Sequence, residues 1–123
     1  MTEKQKMLMG ILYNAEDQAL IEERNYAKSL TRQFNEHWED KGRRNYLIGQ
    51  IFGSLGKNVH LEAPIYLDYG YRTTIGSDFF SNFNLTILDG GGVEIGNHVF
   101  IGPNVGIYTA NHPCLLYTSP SPR

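Results

Sequence analysis

The stretch LGKNVHLEAPIYLDYGYRTT (Leu55–Thr74), IGSDFFSNFNLTILDGGGVE (Ile75–Glu94) and IGNHVFIGPNVGIYTANH (Ile95–His112) repeats itself every twenty residues. Leu55, Ile75 and Ile95 fall in register, as do Gly56, Gly76 and Gly96. Inside each copy a finer period of six places aliphatic residues at Leu55, Leu61 and Leu67, at Ile75 and Ile87, and at Ile95, Ile101 and Ile107; Ser81 breaks the row. A second buried-type row lies four places on, at Val59, Ile65, Tyr71, Phe79, Leu85, Val99 and Val105. Two inward positions per six residues, with three sixes per turn, predict a triangular parallel β-helix whose coils bury their apolar faces only by stacking on one another. The third side of each coil is two residues longer, and its long corners, Asp68 to Thr74 and Asp89 to Glu94, stack on one edge. Gly56, Gly76, Gly96 and Gly102 follow inward aliphatic residues, where glycine is expected to accept the corner dihedrals without steric cost.

Upstream, residues 1–54 carry a helical pattern. Thr2 and Gln5 have capping-box spacing, and Met7, Leu8, Ile11 and Leu12 offer one apolar stripe. A second helix is expected from Asp17, with Leu20, Ala27, Leu30, Phe34 and Trp38 on its buried side. The polar DKGRRN stretch is expected to interrupt the pattern before a third helix presents Leu47, Ile48, Ile51, Phe52 and Leu55. These helices would cap the first coil, since a solenoid needs its end faces covered. Residues 55–113 then form three coils, and 114–123 read as a non-native tail. CLLYTSPSPR has neither hexapeptide nor helical stripe, and LLYTSPSPR resembles the translated read-through of a sequencing adapter. The expectation is a truncated reading frame.

Composition narrows the function. Lys+Arg 11 against Asp+Glu 13 leaves a net charge of -2 with no basic run, which argues against a nucleic-acid footprint. The single cysteine, Cys114, rules out an intrachain disulfide framework and suits a reducing cytoplasm. The N-terminus reads as neither signal peptide nor membrane span. No pair of histidines or carboxylates has ligand spacing, so no metal is expected.

His37, His60 and His98 fall on polar or outward positions and read as surface residues. His112 differs: it follows the last aliphatic row within YTANHP, where Pro113 restrains the backbone before it. Position alone leaves it divided between catalysis and structure. In FFSNFNLT, Asn82 and Asn84 are expected to share a strand face, either turning a corner or binding a sugar hydroxyl. Asp68 and Asp89 occupy the long corners as stacked carboxylates, able to accept from a polyol or to cap turns.

The set TEKQKMLMGILYNAED, DYGY at 68–71, NFNLTILD at 82–89 and IGPNVGIYTANHP at 101–113 resembles the maltose/galactoside-type sugar O-acetyltransferases of the hexapeptide-repeat acyltransferase superfamily. That resemblance covers residues 1–113. It implies a mainly β fold with an α-helical N-terminal cap, an incomplete left-handed β-helix, although crossovers elsewhere are right-handed. It also implies a homotrimer with sites between subunits, and acetyl transfer from acetyl-CoA to a sugar acceptor. His112 takes the place of the catalytic base. Asp68, Asn82, Asp89 and Arg24 take sugar-contact places, as does Asn14, where many relatives have an aspartate; Phe80 stands where some have tyrosine. The CoA contacts belong to later coils. Two rivals remain: a non-catalytic solenoid that only binds or assembles, and an acetyltransferase for a non-sugar acceptor.

The tail reading has a direct check. Genomic DNA across the Pro113 codon is expected to continue the hexapeptide pattern in place of Cys114 onward, and a genomic reading that encodes LLYTSPSPR overturns it.

Overall fold

The computed structural model describes residues 1–109. Three helices come first: α1 (Glu3–Leu8), α2 (Gln18–Glu36) and α3 (Lys41–Ile51). Nine short strands follow among the described residues: β1 (Ser54–Leu55), β2 (Val59–Leu61), β3 (Ile65–Leu67), β4 (Thr73–Ile75), β5 (Phe79–Ser81), β6 (Leu85–Leu88), β7 (Val93–Ile95), β8 (Phe100–Ile101) and β9 (Gly106–Tyr108). They form three parallel three-stranded sheets, β1-β4-β7, β2-β5-β8 and β3-β6-β9. Every pairing has the register i to i+20: Leu55 lies beside Ile75, Phe80 beside Phe100, and Ile87 beside Ile107. The triangular coil expected from the repeat is therefore present. Among the described residues the helices contain more residues than the strands, so "mainly β" overstates the strand share.

Leu61, Leu67, Ile75 and Ile87 point inward, and Ser81 keeps its inward place, buried, with its hydroxyl donating to the Asn82 carbonyl at 3.0 Å. The second row holds at Ile65, Phe79 and Leu85 but fails at Tyr71, which is 37% exposed. Because the extra residues of the long corner fall between β3 and β4, the inward place passes to Thr73, paired with Val93.

The tight corners correct the expected role of glycine. Left-handed backbone falls on Asn58, Asp78 and His98 at one edge, with φ of 58, 58 and 59°, and on Asn84 and Asn104 at the next. Asparagine and aspartate tolerate that region because their short polar side chains bond locally. Here they also bond coil to coil: Asn58 Nδ2 donates to Asp78 Oδ1 and Asn84 Nδ2 to Asn104 Oδ1, both at 3.0 Å. Asn82 and Asn84 thus lie in a corner beyond β5, not on a shared strand face. Gly56 and Gly76 serve close approach instead: a Cβ at Gly76 would lie 2.5 Å from Asn97 Oδ1 and 2.7 Å from the Gly96 carbonyl carbon.

The helices close the first coil through a shared core in which Phe34, Leu47, Ile48, Ile51 and Phe52 pack with Leu61, Ile65 and Phe79. Thr2 and Gln5 form the expected capping box, and Asp17 caps α2 by accepting from the Ala19 amide at 3.2 Å. The DKGRRN stretch is helical, contrary to expectation. Asp40 is the N-cap of α3, accepting from the Arg43 amide at 3.1 Å, and the polar residues form its exposed first turns. Ile11, Leu12 and Trp38 are exposed, so the apolar stripes end sooner than their spacing suggests.

Coil contact makes a prediction. Gly76→Ala is expected to destabilise this chain by about 1–3 kcal/mol, the usual cost of overpacking. Gly96→Ala, whose Cβ meets nothing within 4 Å among the described residues, is expected to be near neutral. Urea denaturation midpoints decide between them, and equal losses would refute the close-approach account.

Candidate acceptor site

The long corner is the edge on which side chains gather. It lacks a left-handed asparagine ladder, and a carboxylate does part of the backbone's work instead. Asp89 is fully buried, its Oδ1 accepting from the Tyr69 amide and its Oδ2 from the Thr73 hydroxyl, both at 2.8 Å. A buried polar group of this kind persists only when its hydrogen-bonding atoms are matched. Fully buried and with each oxygen bonded within the chain, Asp89 braces the corner. Asp68 does not stack on it. The register of twenty sets Asp68 beside Leu88, and its amide donates to the Ile87 carbonyl at 3.1 Å. Asp68 is half-buried at the rim of the same corner.

The link between α1 and α2 folds over this edge. Met7, Leu20 and Tyr69 form a small second core with Tyr13 packed against it. Arg24, on α2, donates from Nη1 to the Tyr69 hydroxyl at 2.7 Å and from Nη2 to the Ala15 carbonyl at 2.8 Å. Asn14 is exposed beside it. Its amide donates to Glu3 Oε1, and its own Oδ1 accepts from the Glu16 amide at 3.0 Å. Glu3 is held below the ordinary carboxyl value, first by its bond to Lys6 and then by the Asn14 amide.

Asn14, Arg24, Asp68 and Asp89 are therefore brought to one edge. Asn82 is not: it stands on the corner between β5 and β6, half-buried, with Oδ1 accepting from the Phe83 amide at 2.8 Å. Phe80 faces outward in a ring ladder, 5.3 Å from both His60 and Phe100. His60 also bonds Glu62, and His98 lies near Asp78. His112 lies outside the described residues. Thr109, three positions earlier, is pinned to the long-corner edge: its hydroxyl donates to the Leu88 carbonyl at 2.6 Å and accepts from the Gly91 amide at 2.8 Å. Among the described residues no group of three or more His, Cys, Asp or Glu side chains could hold a metal ion, and no helix is long and apolar enough to cross a membrane.

Comparison with known proteins agrees with this fold. Residues 6–56 match the maltose acetyltransferase hexapeptide capping motif. The structure of a maltose O-acetyltransferase from Clostridium difficile 630 superposes with a TM-score of 0.89 at 48% identity, covering 92% of this chain and 61% of the other. A galactoside acetyltransferase in complex with coenzyme A gives 0.86 at 37% identity, covering 92% and 57%. In capping motif, sequence and fold the chain is similar to the hexapeptide-repeat acetyltransferases. Its coils are accordingly those of the family's left-handed parallel β-helix. The galactoside O-acetyltransferase of Escherichia coli K12 is 37% identical over 110 residues, 89% of this chain and 54% of that protein. The chain spans less than two thirds of the length of these family members.

Sequence reasoning passed over Tyr69 and Tyr13, although DYGY was in view. Tyr69 interrupts no period and pairs with Arg24 across 45 positions, so only the folded corner joins them.

A groove of about 520 Å³ beside this corner is lined by Lys4, Glu23, Tyr26, Leu30, Tyr69 and Tyr71. The Tyr71 hydroxyl donates to Glu23 Oε1 at 2.7 Å, and Lys4 pairs with the same carboxylate. Burial, then the Glu23 bond, raises the Tyr71 phenol well above its ordinary 10.0; burial raises Tyr69 too, against the opposing pull of Arg24. The fold keeps these protons to higher pH than the unfolded chain does. Their stabilisation is thus complete below about pH 10 and is lost as the pH rises beyond it. Denaturation midpoints are expected to fall between about pH 9 and about pH 11, and to fall less in Tyr69→Phe/Tyr71→Phe. Equal declines in both proteins would remove the two phenols as the cause.

Proposed function

We propose that this chain serves acetyl-CoA-dependent O-acetylation of a sugar hydroxyl, with His112 as general base. Asp68, Asn82, Arg24 and Asn14 are the proposed acceptor-side groups. The observation that carries this reading is the shared edge. Thr109 is held between Leu88 and Gly91 on the corner where Arg24 and Asn14 gather, and the chain runs on from there to His112 within three residues. The likeness to galactoside and maltose O-acetyltransferases, one of them in complex with coenzyme A, supports the substrate pair.

In the proposed step the neutral imidazole takes the acceptor proton as the hydroxyl oxygen attacks the thioester carbonyl. The C–O bond forms, the C–S bond breaks, and the sulfur leaves as the thiol of CoA after receiving a proton. Proton removal in the transition state contributes about 10² to 10⁴-fold. Asn82 stands on a different edge from Asp68, so one acceptor touching both would lie between two copies of the chain. This favours a site shared between subunits of a homotrimer.

The test is thiol release from acetyl-CoA with a panel of sugars, using a protein of the relatives' full length that carries residues 1–113. His112→Ala is expected to lower turnover at least about a hundredfold. Unchanged turnover removes His112 from the mechanism, and no acetylation of any sugar by the unsubstituted protein favours a non-sugar acceptor or a purely assembling solenoid.

A further inference from the structure

A chain of hydrogen bonds joins the corner of the second coil to the N-terminal link, and two of its members, Asp89 and Tyr69, have no part in the proposed chemistry. It begins at Asp89, whose Oδ1 seats the Tyr69 amide and whose Oδ2 seats Thr73. Tyr69 is 5% exposed, with its ring among Met7, Leu20 and Tyr13. Its hydroxyl accepts from Arg24 Nη1, and the guanidinium carbon lies 5.7 Å from the ring centroid. Arg24 Nη2 then reaches the Ala15 carbonyl, one residue beyond Asn14. The link itself sits close on the corner: a Cβ at Gly90 would lie 2.9 Å from the Tyr13 hydroxyl oxygen.

An arginine side chain is long and loses much rotamer freedom when held, so it stays in one place only if both ends of its planar fork are engaged. Tyr69 and Ala15 provide those two engagements. The link between α1 and α2 contains no strand, and the bonds of its amides go to α1 or to the link itself, as from Asn14 to Glu3, from Glu16 to the Asn14 side chain and from Asp17 to the Asn14 carbonyl. Arg24 ties this segment back to the solenoid.

We infer that Tyr69 is a positioning residue of the acceptor site: its amide is seated by Asp89, and its hydroxyl fixes Arg24 and, through Arg24, the segment that carries Asn14. The inference rests on the reading of Arg24 and Asn14 as acceptor-side groups. Tyr69 acts through Arg24, since its oxygen already accepts the guanidinium proton and its side chain is almost fully covered. Asp89 belongs to the same device, one step further from the acceptor.

Tyr69→Phe keeps the ring and its packing and removes only the hydroxyl. Amide hydrogen exchange on the 123-residue chain is expected to quicken about tenfold at Asn14, Glu16 and Asp17, the loss expected for one charge-assisted bond, and to stay unchanged in β3 and β6. In the full-length protein used for the activity test, KM for the sugar is expected to rise about tenfold with kcat held within about twofold and KM for acetyl-CoA unaltered. Arg24→Ala is the reference for the underlying reading. If it raises the sugar KM while Tyr69→Phe leaves both KM and exchange at the unsubstituted level, the inference alone fails. If Arg24→Ala leaves the sugar KM unchanged, Arg24 leaves the acceptor site and the inference falls with that reading. Faster exchange spread through β3 and β6 would mean general destabilisation and would also overturn it.

Discussion

A coil of this solenoid cannot satisfy its own backbone. Its strands are two to four residues long and run parallel, so their ladder bonds go to the chain twenty residues away. That single register controls everything else. It aligns the inward rows into one core and brings Gly56 and Gly76 against the next coil. It also stacks Asn58, Asp78 and His98 in the left-handed conformation at one corner. A slip of one residue would turn each inward aliphatic side chain outward. The helical cap answers the same constraint at the first coil, where Phe34, Leu47, Ile48 and Ile51 cover a surface that has no preceding coil.

The three edges are not equivalent, and the difference sets where the N-terminal segment and the polar side chains gather. Two are tight and closed by short polar side chains that bond from coil to coil, as Asn84 does to Asn104. The third is longer, and its extra residues cannot continue the ladder. A buried carboxylate, Asp89, fills that gap by taking the Tyr69 amide and the Thr73 hydroxyl. Length at this edge leaves room for the segment after α1 to fold over it. The outcome is a rigid frame with one edge where helix, link and solenoid meet, a common arrangement for functional groups carried on loops of a fixed scaffold.

Much of this was legible before any coordinates. The row of six survives even at Ser81, which keeps its inward place because neighbours in the stack dictate direction more strongly than one side chain's polarity. Thr2, Gln5 and Asp17 cap helices as their spacing suggests, because capping is local. Where pattern and structure part, the cause is distance. A strict six carried through a corner two residues longer places Tyr71 inward, whereas the folded corner leaves it exposed. The polarity of DKGRRN hides a helix whose stability comes from Asp40 at one end and buried Leu47, Ile48 and Ile51 at the other. Asp68 and Asp89 look like a stacked pair in the repeat but stand one register position apart.

The sequence by itself determined the coil, its period and its family likeness, because a repeat writes each inward position several times over and local caps need only their neighbours. Tertiary structure alone decided what the polar residues around the long corner bond to. It turned Asp89 inward as a buried acceptor, joined Tyr69 to Arg24 across 45 positions, and set Asn82 on another edge. Such pairings follow from how the third side turns and how the N-terminal segment folds across it, and no period in the chain encodes either.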